Sequence, residues 1–115
     1  MVLGIEYAFK GFEDDVSLME EKFDQREFKG LGRIMNSSYG LLESELTDRE
    51  RSKISWAFDK LRGNYLSFYR RSAPFKEQDV AELHRDFDTY ISVVRKLIEE
   101  LRGIDDLNER REEFN

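Results

Sequence analysis

Five carboxylates in this chain stand where two neighbouring helices could aim them at one point. They are Glu20, Glu21 and Asp24 on one candidate helix and Glu43 and Glu45 on the next. Acids converging from two helices hold a hard divalent cation such as magnesium, and the cation polarises a phosphoryl oxygen. That chemistry would make the chain a metal-dependent, all-α nucleotide phosphohydrolase. Convergent acids would also perturb one another's ionisation, whereas acids on solvated helix faces splay outward. With 25 Asp and Glu in 115 residues, several i, i+3 pairs arise by chance, so solvated faces are the plain expectation. A ferritin-like di-iron centre needs Glu-x-x-His on two helices, and a single histidine cannot supply it.

The pairs Glu21-x-x-Asp24 and Glu45-x-x-Asp48 resemble the paired acidic motifs of the all-α nucleoside triphosphate pyrophosphatases. The resemblance covers these two short motifs alone and implies magnesium-dependent hydrolysis. It departs from the family pattern at Asp24, where that pattern has Glu. It departs again at Asp48, which follows a helix cap instead of lying inside a helix.

The remaining chemistry is sparse. His84 falls beside Val80, Phe87 and Ile91 at the edge of an apolar stripe, and reads as a boundary histidine half-packed on the core. There is no cysteine and no second histidine to join it on a metal, so no cofactor is expected. No serine sits in a Gly-x-Ser-x-Gly elbow. Gly30-Leu31-Gly32 lacks the Walker spacing and reads as a helix–helix joint.

Trp56 points to recognition instead of catalysis. At 100° per residue it lies about 200° from Ile54 on the helix wheel, away from the apolar seam. Gly63, Ser67 and Arg70 share its face. A tryptophan beside small residues and an arginine has the composition of an interface anchor. Tyr69, Arg70, Arg71 and Phe75 form a basic-aromatic cluster at a hairpin tip. Such a cluster could stack on bases, but it is short, and arginines at a helix C-terminus already suit the dipole. The expected function is therefore a small, acidic, non-enzymatic interaction module of the adaptor, regulatory or inhibitor/antitoxin-like kind. It would contact another protein or itself as a homodimer. The phosphohydrolase, and weak nucleic-acid binding at the tip, are the alternatives.

These residues must be carried by helices. Ile54, Phe58, Leu61, Tyr65 and Phe68 recur at steps of four and three. So do Val80, Leu83, Phe87, Tyr90, Val94, Leu97 and Leu101. Such steps keep side chains on one stripe of a 3.6-residue helix. The two runs predict a long hairpin, helix three over about 48–71 and helix four over about 76–102, with Gly103 as a left-handed cap. Pro74, the only proline, falls in the turn. Thr47-Asp48-Arg49-Glu50 is a capping box opening helix three.

A first helix is expected from Phe12 to near Phe28. The register Ile5, Phe9, Phe12, Val16, Met19, Phe23 could carry it back to residue 5 despite Gly4 and Gly11. A second helix is expected from about Leu31 to Leu46, with Leu31, Ile34, Ser38, Leu41 and Leu42 on one face. The sum is an all-α, antiparallel four-helix bundle in a single domain, with 1–11 and 104–115 as the less regular ends.

Charge and composition bound the partners. The net charge of -6 disfavours gripping phosphates or an anionic membrane surface. No run reaches eighteen apolar residues, and the N-terminus lacks a basic segment followed by an apolar one. A soluble, cytoplasmic protein is expected.

Overall fold

A computed structural model of the chain describes the backbone of residues 2–70 and 76–114, and the side chains within 5–70 and 76–103. Four helices follow one another: α1 (Val2–Asp24), α2 (Phe28–Glu45), α3 (Asp48–Tyr69) and α4 (Glu77–Phe114), with no strand among the described residues. The all-α four-helix reading holds. Close backbone packing is concentrated within two hairpins, α1 with α2 and α3 with α4. The hairpins meet each other mainly through side chains.

The apolar stripes enter the core as their spacing requires. Phe9, Phe12, Val16, Met19 and Phe23 of α1 are buried, so the early register is helical from Val2 and passes through Gly11. Ile54, Phe58, Leu61, Tyr65 and Phe68 of α3 are buried, as are Val80, Leu83, Phe87, Tyr90, Val94 and Leu97 of α4. Rings join the four helices. Tyr39 of α2 stacks on Phe58 at 3.8 Å, and Tyr90 of α4 meets Phe12, Tyr39 and Phe58 at 6.1, 6.4 and 5.6 Å. Such contacts contribute about 0.5–1.5 kcal/mol each beyond the burial of area.

Four boundary expectations are corrected. Gly30 and Gly32 are not a joint; both lie inside α2. The joint is Gln25–Glu27, where Arg26 takes the left-handed conformation usual for glycine, with φ 57. A Schellman arrangement holds it. The Glu27 N–H donates to the Lys22 carbonyl at 2.9 Å, and the Arg26 N–H to Phe23 at 3.1 Å. The Arg26 guanidinium adds a bond to Phe23 O at 2.5 Å and a fork onto Glu77 of α4. Phe28, expected to end the first helix, instead opens the second, with its ring against Phe23 and Phe68.

The remaining two concern α2 and α4. Leu42, with Leu31, Met35, Ser38 and Leu46, faces the core, while Leu41 is 59% exposed. Neighbouring residues differ by about 100° on a helix, so one stripe this narrow takes only one of the pair. Gly103 is no cap, because α4 continues through it to Phe114 and no described glycine has positive φ. The 38 residues of α4 span about 57 Å at 1.5 Å each and set the 64 Å long axis.

The start of α3 is as expected. Thr47 Oγ1 accepts from the Glu50 N–H at 3.2 Å, and Glu50 Oε1 accepts from the Thr47 N–H at 2.8 Å.

Candidate functional site

The α3 helix carries Trp56 on its outer flank, where the indole is 54% exposed. The seam face of α3 is filled by Ile54, Ala57, Phe58 and Leu61, which leaves position 56 at the border with α4. Trp56 therefore lies not on the far side of the hairpin but along a groove between α3 and α4. Lys53, Val93, Lys96, Leu97 and Glu100 line that groove, a concavity of about 300 Å³. The indole N–H donates to the carbonyl of Lys53 at 3.0 Å, one turn back on its own helix. Lys53 Nζ in turn reaches Glu100 of α4 at 3.2 Å.

The other expected interaction residues spread along the same helix. Gly63 is exposed, and a Cβ placed there would meet nothing within 4 Å. Ser67 lines a second concavity between α3 and α4, with Lys60, Asn64, Glu82, Arg85 and Asp86. Asn64 donates to Asp86 there, and Lys60 lies 3.7 Å from the same carboxylate. Tyr69 is 44% exposed, with its ring stacked 5.8 Å from Tyr65, and Arg70 is exposed at the C-cap. Arg71 and Phe75 lie outside the described residues, and with them the hairpin tip. Trp56, Gly63 and Ser67 thus share a flank, while Tyr69 and Arg70 end it.

Three of the five acids of the phosphohydrolase reading take separate partners. Glu20 turns to His84 of α4 at 2.8 Å, and Glu21 accepts from Gln25 at 3.2 Å. Glu43 faces Arg51 at 3.7 Å. Asp24 and Glu45 line two different surface concavities. Among the described residues, the group with the spacing of metal ligands is Glu20, His84 and Asp88. His84 is a boundary residue as expected. Its ring lies edge-on to Phe23 at 4.7 Å, and both of its nitrogens face carboxylates.

A second apolar groove was not foreseen. Tyr7 is 82% exposed and Leu41 59% exposed, and they flank a concavity of about 90 Å³ lined by Ala8, Gly11, Phe12 and Ser38 of α1 and α2. The sequence did carry a signal. Tyr7 falls midway between the half-buried Ile5 and the buried Phe9 of a four-three register, so an aromatic there has to face outward.

No described helix is long and apolar enough to cross a membrane. Comparison with protein-family models, with curated proteins and with solved structures finds no match for this chain. The fold and site therefore define a class, an all-α four-helix bundle with a surface aromatic groove, and the functional reading rests on the site alone.

Proposed function

We propose that this chain is a small, acidic, non-enzymatic protein-interaction module that docks a partner along the α3–α4 groove at Trp56. The observation that carries the reading is the state of the indole. Its N–H is already satisfied by Lys53 O, so a partner can cover the ring without orphaning a buried donor. The ring is held in one orientation, which lowers the entropy lost on binding. Val93 and Leu97 extend the apolar floor, and Lys96, which has no ion pair among the described residues, stands at the rim. The groove suits a partner segment that presents an apolar side chain to Trp56 and a carboxylate to Lys96. At longer range the net charge of -6 speeds encounter with basic surfaces.

Affinity capture from the native cell, run in parallel with the intact chain and with Trp56→Ala, tests the reading. Proteins retained by the former and lost with the latter support it. Sedimentation of both forms covers self-association, where a dimer that dissociates in Trp56→Ala is the supporting result. A monomeric intact chain whose captured proteins are unchanged by Trp56→Ala would overturn it.

A further inference from the structure

Three charged rungs connect α1 to α4, and on α1 their spacing is regular: Glu6, Glu13 and Glu20 are each seven residues apart. Glu6 accepts a two-point fork from Arg102 at 3.3 and 3.1 Å. Glu13 accepts the same fork from Arg95 at 3.0 and 2.9 Å. Seven residues before Arg95, where the pattern calls for a third cation, the chain has Asp88. The third rung is consequently two carboxylates about one imidazole. Nε2 of His84 lies 2.8 Å from Glu20 Oε2, and Nδ1 lies 3.2 Å from Asp88 Oδ2.

Where the other two rungs have a guanidinium fork, this one has a single imidazole between two carboxylates. A neutral imidazole carries a single N–H and cannot donate on both sides. With the N–H on Nδ1 and directed at Asp88, the Nε2 lone pair confronts the oxygen of Glu20. Either a second proton or a metal ion on Nε2 turns that contact into an attraction. Arg95 cannot fill the place, because its guanidinium is engaged on Glu13. The imidazole cannot easily swing away, because Phe23 packs against it at 4.7 Å and Phe87 at 5.6 Å. The Glu20 oxygen and the His84 nitrogen that would share an ion already lie 2.8 Å apart.

We propose that Glu20 and His84 Nε2, with Asp88 behind the ring, bind a divalent transition ion of the zinc class. Imidazole with carboxylate oxygen suits zinc, nickel or cobalt, whereas magnesium and calcium take oxygen alone. Asp88 on Nδ1–H is the partner that fixes the tautomer and turns Nε2 toward the metal. Tetrahedral zinc sets its ligand atoms roughly 3.3 Å apart, so Glu20 must withdraw slightly, and its half-exposed side chain can do so. Water completes the coordination. The ion would clamp α1 to α4, two helices whose backbones approach each other sparsely.

Calorimetric titration of zinc into the intact metal-free chain near pH 7 tests this, with thermal denaturation alongside. One ion per chain is expected, with a melting temperature that rises with zinc. His84→Ala and Glu20→Gln should abolish the saturable heat and the rise. Asp88→Asn should weaken binding by about tenfold or more, the usual effect of losing a ligand's outer partner. Glu20→Gln keeps the ring packing intact, so a folding defect in His84→Ala would not obscure the result. Absence of heat at millimolar zinc, or heat that survives Glu20→Gln and His84→Ala alike, would overturn the site. A melting temperature that moves with pH and ignores zinc would assign the gap to a second proton and overturn it as well.

Discussion

Tyr65 and Gly32 touch only because Gly32 has no side chain. The Tyr65 hydroxyl donates to the carbonyl of Phe28 at 2.6 Å, crossing from α3 to the first turn of α2. A Cβ on Gly32 would collide with that hydroxyl and with the ring behind it. Gly32→Ala should therefore destabilise by roughly 1–3 kcal/mol through overpacking, even though alanine is the better helix former by about 1 kcal/mol. Gly40 is the control, since nothing lies within 4 Å of a Cβ there. Gly40→Ala should stabilise by about 0.5–1 kcal/mol. Urea denaturation that moves both variants the same way would contradict this account of Gly32.

Tyr90 is fully buried among rings, and its hydroxyl has no hydrogen-bond partner among the described residues. Burial pushes its ionisation far above the usual phenol range. An unmet buried hydroxyl costs about 1–3 kcal/mol. Tyr90→Phe keeps the ring contacts and removes the orphan, so it should raise stability by about 1 kcal/mol. A higher melting temperature is the expected readout, and a lower one would reveal a partner for the hydroxyl.

Acid should loosen the α1–α4 seam. The hydrogen bonds from Arg95 hold the Glu13 carboxyl below the usual range, against a smaller opposing effect of burial. A carboxylate with a depressed folded pKa stabilises fully above its unfolded value of about 4.3 and loses that contribution as pH falls through the folded value. Glu13 is 46% exposed, so solvent screening keeps the contribution under about 1 kcal/mol. Glu13→Gln should be slightly less stable at pH 7. It should also show a flatter loss of stability than the unmodified chain below about pH 4.5.

The capping box of α3 offers a local test. Thr47→Ala removes the acceptor for the Glu50 N–H and should cost about 1 kcal/mol. Thr47→Ser keeps the oxygen and should recover most of it. Equal losses in the two variants would mean that the threonine methyl, not its hydroxyl, matters.

Trp56→Ala separates recognition from folding. The indole is more than half exposed, so its loss should change stability by no more than about 0.5 kcal/mol while removing partner contact. A large fall in melting temperature would show that Trp56 chiefly packs the α3–α4 groove.

Much of the architecture was readable one helix at a time. The four-three registers of α1, α3 and α4 are recurrences within a single helix, and so is the Thr47–Glu50 box. Each depends only on residues a few positions apart. The same local rules failed where glycine was read as punctuation. Gly30, Gly32 and Gly103 all lie within helices, and the left-handed residue that ends α1 is Arg26, held by the Lys22 and Phe23 carbonyls and by Glu77 from 51 positions away. The candidate site was legible in part. Trp56 is off the seam as expected, but its place beside Val93 and Lys96 follows from how α4 lies against α3.

The sequence by itself determined that the chain is helical, where its apolar stripes run, and that Trp56 stays outside the core, because a 3.6-residue period is written in neighbouring positions. Only the tertiary structure decided that Tyr65 needs Gly32, that Tyr7 and Leu41 share a groove, and that Glu20 meets His84 and Asp88. Those pairings join residues tens of positions apart, and their distances follow from how whole helices pack, which no local spacing encodes.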